Sequence, residues 1–257
     1  MRWHYLFYDA FMKNLGLLSF SLLFSSSLLA QWSAGVATII PSSPYLGADT
    51  EIRVLPIVTY EGERLTWRGP SVAYKLSGLK RAEPSFSLTL NLAPNQLDTD
   101  DSDSLDGIKD RDFSFMAGAS YRHPFEFATV SFTAETDVTN KHDGQRAVIS
   151  VERHLLFDPK RRWMINLGAE LEYLSANYAD YYFGVNQEEQ NKSAFSQYQV
   201  GSVIQPGVSL GGFYKVTKQW NVVANARWQA LPDEVKDSPI VDGSSAINGF
   251  MGIIYSF

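Results

Sequence analysis

From Gln31 to Phe257, apolar and polar residues alternate in short runs, and each run stops at a cluster of Gly, Pro, Asn or Asp. A period of two is the strand period, because successive side chains point to opposite faces of the pleat. In residues 163–174, Trp163, Ile165, Leu167, Ala169, Leu171 and Tyr173 share one face, against Asn166, Glu170 and Glu172 on the other. Phe113, Phe115, Ala117, Ala119 and Tyr121 likewise oppose Ser114, Gly118, Ser120 and Arg122. The pattern repeats with Phe86, Leu88 and Leu90 against Ser87, Thr89 and Asn91, and with Val130, Phe132 and Ala134 against Thr129, Thr133, Glu135 and Asp137. It recurs with Val222, Ala224, Ala226 and Trp228 against Asn225, Arg227 and Gln229. Apolar faces bounded by aromatics suit strands whose outer side meets lipid and whose rings sit at the two headgroup levels. A soluble β-sandwich also alternates, but its polar face points to bulk water.

The alternating runs predict twelve strands, at roughly 31–40, 51–60, 63–69, 71–77, 84–93, 112–122, 128–138, 145–157, 163–174, 201–215, 218–230 and 246–257. Residues 123–126, 158–161 and 216–219 read as tight turns, which barrels keep on the periplasmic side. The long or polar connections 94–111, 139–144, 175–200 and 231–245 then face outward, with 41–50 outside and 78–83 inside. The expected fold is all-β, a closed antiparallel transmembrane barrel. Ten strands satisfy the same parity if Trp67 to Ser71 is a bulge within one long strand and 31–40 lies outside the barrel.

Composition agrees with one large β domain: 257 residues, no cysteine, thirteen Tyr, sixteen Phe and six Trp. Mean hydropathy is only −0.16, because alternation averages a membrane-spanning strand down to a soluble value. Downstream of the N-terminal segment no run of about 18 apolar residues exists, which excludes helical spans. Residues 1–30 read as a secretory signal with an apolar core from Leu15 to Leu23 and cleavage after Ala30; Met12 is the expected true start. The barrel is expected over 31–257. The formal charge of −6 and the lack of a basic patch disfavour nucleic-acid binding.

Six segments in order resemble the MipA/OmpV family: Pro44 to Gly47, Leu55 to Tyr60, Leu105 to Asp110, Tyr181 to Val185, Asp237 to Val241, and the end Tyr255-Ser256-Phe257. The resemblance covers nearly the whole chain after the signal. It implies location in the cell outer membrane of a Gram-negative bacterium, among lipid and lipopolysaccharide. It also implies no enzyme activity and no cofactor. For the MipA branch it implies a scaffold joining a lytic transglycosylase to a penicillin-binding murein synthase; for the OmpV branch, a surface antigen with roles in adhesion or solute passage. Tyr255 and Phe257 resemble the C-terminal aromatic signal read by the barrel assembly machinery.

The residues offer little catalytic chemistry. The acidic stretch Asp98 to Gly107 lacks the spacing of a calcium loop and reads as solvated. His123, His142 and His154 have no metal-ligand spacing. Ser150, Glu152 and His154 share a strand face at steps of about 7 Å, too far for a nucleophile to touch its base. No catalytic, cofactor or metal residue is therefore assigned. The inward charges Arg122, Glu135, Asp137, Glu152, Glu170, Glu172 and Arg227 are the expected lumen lining, either a plugging network or a narrow cation-preferring passage. Arg122, Lys160, Arg161, Arg162, Lys215 and Lys218 place positive charge near the periplasmic turns, for partner contact or for headgroups.

Overall fold

The computed structural model describes residues 31–257 apart from 42, 49–51, 81, 100–101, 156–157, 159 and 161. The expected signal segment and cleavage site, and Arg161, lie outside the described residues. Twelve antiparallel strands close into a barrel: β1 (Gln31–Pro41), β2 (Arg53–Glu61), β3 (Leu65–Arg68), β4 (Ser71–Ser77), β5 (Ser85–Leu92), β6 (Phe115–Pro124), β7 (Thr129–Asp137), β8 (Gln145–Leu155), β9 (Trp163–Leu174), β10 (Val203–Lys215), β11 (Trp220–Ala230) and β12 (Ser245–Ser256). Each strand pairs with its sequence neighbours. β1 closes the cylinder on β12, in register from Ser33↔Ser256 to Pro41↔Asn248. The ten-strand alternative fails on both its conditions. Residues 31–40 lie in the wall, and Gly69 and Pro70 form a turn that reverses the chain between β3 and β4.

The lipid side is the apolar side of each strand. Leu88, Phe132, Leu167, Leu171, Val208 and Met251 all project outward and stay exposed, as a bilayer-facing wall requires. Trp32, Tyr60 and Trp67 cluster at the periplasmic end, with ring centroids 4.8 Å apart for Trp32–Tyr60 and 6.2 Å for Trp32–Trp67. Trp220, Tyr255 and Phe257 continue this girdle at centroid separations of 5.2 Å. Phe257 is 72% exposed, and its backbone N–H donates to Trp32 O at 3.1 Å.

The hydrophobic core lies at the outer mouth. Tyr45, Leu97, Leu105, Ile108, Tyr178, Tyr182, Phe183, Val185, Val235 and Ile240 pack together there, fully or almost fully buried. Three short helices contribute: α1 (Ala176–Phe183), α2 (Gln187–Gln190) and α3 (Asp233–Lys236). Connections that the sequence suggests are long and polar thus fold into a cap. In α1, Tyr178, Ala179, Tyr182 and Phe183 form a buried face at helical spacing, too short a run to register as a period. Burying each ring stabilises the cap by about 1.5–3 kcal/mol. The helix end is held too: Tyr45 Oη donates to Tyr182 O at 3.1 Å and Ser238 Oγ to Phe183 O at 2.6 Å, which satisfies carbonyls a helix leaves orphaned.

Candidate functional site: a barred lumen beneath a sealed mouth

The polar face of the strands builds a chain of charges across the lumen. Glu135 on β7 accepts from Thr89 Oγ1 at 2.8 Å, from Asn91 Nδ2, and from Arg146 Nη1 at 3.3 Å. Arg146 on β8 also donates through Nε to Glu172 on β9. Glu172 accepts in addition from Arg227 Nη2 at 3.0 Å and from Gln229 Nε2 on β11, and Arg227 Nε reaches Glu170. The chain runs from β5 to β11 and skips β6 and β10. At those two strands the row holds Gly118, between Thr89 and Glu135, and Gly207, between Glu170 and Gln229. A Cβ at Gly207 would lie 2.8 Å from Glu170 Oε1, so the missing side chain lets the charges meet across the strand. Every carboxylate faces a guanidinium, the condition under which buried charges are tolerated.

Above this network the loops are locked by a second buried pair. Arg111 Nη1 lies 2.7 Å from Glu189 Oε1, at side-chain exposures of 5% and 1%. Glu189 also completes a capping box with Asn186 and accepts from Lys109 N at 3.2 Å. Burial alone would raise its pKa, but the Arg111 guanidinium and these backbone donors outweigh it and hold the carboxyl below the ordinary range. The bridge ties the 93–114 connection to the 175–202 connection. Between the lumen and this cap lies the trio Ser114, His142 and Asp137. Ser114 Oγ is 2.9 Å from His142 Nε2, and Asp137 Oδ2 is 4.0 Å from His142 Nδ1. The residue types are those of a hydrolase triad, but the protons are wrong. Gly144 N donates to Nδ1 at 2.9 Å, which leaves the ring proton on Nε2, pointing at the serine it would have to deprotonate. Ser114 is fully buried, so the trio is a strut.

The expected lumen residues divide into three groups. Glu135, Glu170, Glu172 and Arg227 meet in the network. Arg122 and Glu152 lie towards the periplasm: Arg122 donates to Thr129 Oγ1 at 3.2 Å, and Glu152 contacts His154 at 3.3 Å while staying 46% exposed. The Glu152–His154 contact joins two long side chains two residues apart on one face and does not involve Ser150. Asp137 departs from expectation. Its carboxylate accepts from the backbone N–H groups of Thr139, Lys141 and His142 at 2.7–2.9 Å and organises the β7–β8 loop instead of lining water. In the acidic stretch Asp98 is half-buried and Asp106 exposed, while Leu105 and Ser102 are buried and Ser102 Oγ donates to Leu46 O at 2.8 Å. Arg146, the cation that joins two carboxylates, is not among the expected lumen residues. Its signal is parity, for it shares a strand face with Ser150, Glu152 and His154.

The family model described as MltA-interacting protein MipA matches residues 34–257. The putative outer membrane protein YiaT of Escherichia coli (strain K12) is 27% identical over 235 residues, covering 91% of this chain and 94% of that protein. The MltA-interacting protein of the same strain is 28% identical over 229 residues, 88% and 90% of the two chains. Outer membrane protein OmpV of Vibrio cholerae is 21% identical over 222 residues, 84% and 82%. With a closed twelve-strand barrel, a lipid-facing apolar wall and a match that spans the barrel from β1 to its last residue, this outer-membrane protein belongs to the MipA family.

Proposed function

We propose that the protein is a non-enzymatic interaction barrel that holds murein-remodelling enzymes at the inner face of the outer membrane. The observation that carries this reading is the sealed outer mouth above a lumen barred by paired charges, which favours a post over a pore. The periplasmic rim supplies the contact surface. Lys160, Lys215 and Lys218 are exposed there, while Arg162 is partly neutralised by Asp158 at 2.7 Å. A relative that covers nearly the same span is named for interaction with MltA, and a lytic transglycosylase is accordingly the first partner to seek. A penicillin-binding protein is the second. Residues 1–30 serve as the export signal in this reading, and Tyr255 with Phe257 as the assembly signal.

The test uses the purified barrel twice. As bait in detergent extracts it retains a lytic transglycosylase, and Lys160→Glu with Lys218→Glu weakens that retention. In planar bilayers it gives no steady conductance. A stable cation-selective conductance that falls in Glu170→Gln and Glu172→Gln would replace the scaffold by a small-solute channel.

A further inference from the structure

The β6–β7 turn is chemically unlike the other turns at the periplasmic end. Phe125 N donates to Ala128 O at 2.8 Å and closes a tip made of Glu126 and Phe127. Among the described residues the remaining periplasmic turns each carry a cation, at Arg64, Lys80, Lys160 and Lys218. This turn carries two phenylalanines and, at Glu126, a single charge. Its rings continue a ladder that starts in the wall. Tyr121 stands between Phe86 on β5 and Phe132 on β7, and His123 stands opposite Val130, so both face lipid. Ring centroids then step 6.2 Å from Tyr121 to His123, 4.4 Å from His123 to Phe125 and 6.3 Å from Phe125 to Phe127. Phe125 is 49% and Phe127 73% exposed, so the barrel leaves the lower end of the ladder uncovered.

Strand length fixes how far this turn reaches. A strand tilted by about 45° crosses the hydrocarbon in about 9–11 residues. On β9 the lipid-facing aromatics Trp163 and Tyr173 mark the two borders at that spacing, and the chain before Trp163 continues past the inner border with Lys160 exposed. Trp163 pairs with Tyr214 on β10, so residues 215–219, with Lys218, hang beyond the same border. β6 is different. Counted from its outer aromatic, Phe115, the same spacing ends only at Phe125. Tyr121 and His123 therefore lie at hydrocarbon depth, where polar atoms need partners within the protein, and Tyr121 Oη is 3.1 Å from His123 Nδ1.

We propose that the β6–β7 turn is a membrane foot, with Phe125 and Phe127 inserted at the boundary between acyl chains and headgroups of the inner leaflet. The occupant is phospholipid because the ladder is continuous with the lipid-facing row Phe86, Tyr121 and Phe132, and because aromatic rings favour that boundary. Glu126 is exposed at the tip, on the headgroup side. The periplasmic rim is then sunk at β6–β7 and stands in water at β8–β9 and β10–β11. This goes beyond the scaffold reading, and it directs a partner away from the β6–β7 side.

The chain has no cysteine, so each introduced cysteine takes one nitroxide label. Full-length protein in vesicles of phosphatidylethanolamine and phosphatidylglycerol is labelled at Phe127→Cys, at Phe125→Cys as a second reading of the same turn, at Lys218→Cys, and at Leu167→Cys on the lipid-facing wall. Collisions with oxygen, which concentrates in lipid, are compared with collisions with a water-soluble nickel chelate. Oxygen outweighs nickel at positions 125, 127 and 167. The order reverses at 218, which also shows that the label does not insert by itself. Heat-modifiable migration confirms that each variant is folded. Nickel outweighing oxygen at either 125 or 127 puts the turn in water and overturns the proposal. Few collisions with both reagents there mean that protein covers the turn, a second copy or a partner, and overturn it equally. So does oxygen outweighing nickel at 218, because the two turns would then not differ. The readout needs no partner enzyme, so the scaffold reading stands or fails separately.

Discussion

The outer and periplasmic halves of the lumen are made by the same strands and behave as different materials. In the outer half the carboxylates Glu135 and Glu172 are 1% and 3% exposed and each meets a guanidinium, beneath a cap with a hydrophobic core of its own. In the periplasmic half Glu152 and His154 remain substantially exposed and the turns are tight. A barrel hairpin has one short end and one long end, and only the long end supplies enough chain to bury a core. The lumen is consequently packed shut at its outer mouth and more exposed toward the periplasm.

The largest expected effect comes from breaking the outer half. Arg146→Met removes the cation from Glu135 and one of two from Glu172, leaving charge buried without compensation; urea unfolding in lipid vesicles loses about 3–5 kcal/mol. Stability within 1 kcal/mol of wild type would mean that the network does not hold the outer half together. Next in size is Glu189→Gln, which strands Arg111 inside the cap and costs about 3 kcal/mol of local stability. Whole cells of this variant admit protease cuts within 94–111 or 175–200, whereas wild-type loops resist.

Acid probes the same cap more gently. Burial pushes the His142 imidazole below its ordinary value, so the unfolded loop takes up a proton near pH 6.5 while the folded one does not. Cap stability therefore falls as pH drops below about 6.5. Glu189, whose pKa is depressed in the fold, contributes stability above its unfolded value near 4.3 and loses it as pH falls through its lower folded value. Proteolysis measured from pH 7.5 to 3.5 accelerates in two stages, and His142→Gln removes the first. The smallest effect belongs to the wet half: Glu152→Gln shifts stability by less than about 0.5 kcal/mol. A loss there as large as that of Arg146→Met would erase the contrast between the halves.

Much of the fold was legible because each strand carries its own evidence. The faces of residues 163–174 and 113–122, the parity of short and long connections and the aromatic ends led to twelve strands within a few residues of those observed. The site was legible in part. Glu135, Glu170, Glu172 and Arg227 were recognisable as inward charges by period alone, but not as one network. Arg146 passed unnoticed beside them, and Asp137 looked identical to Glu135 until its loop closed on it. The pair Arg111 and Glu189 belongs to two connections that neither period nor spacing relates.

What the sequence determined by itself is everything that lipid and water impose on one strand at a time: alternation, girdle aromatics, turn chemistry and hence barrel, location and orientation. Those constraints act locally, so a local pattern records them. The cap and the charge chain over Gly118 and Gly207 were decided only in the closed barrel. Each depends on the register between strands and on side chains far apart in sequence, and a periodic pattern carries no information about either.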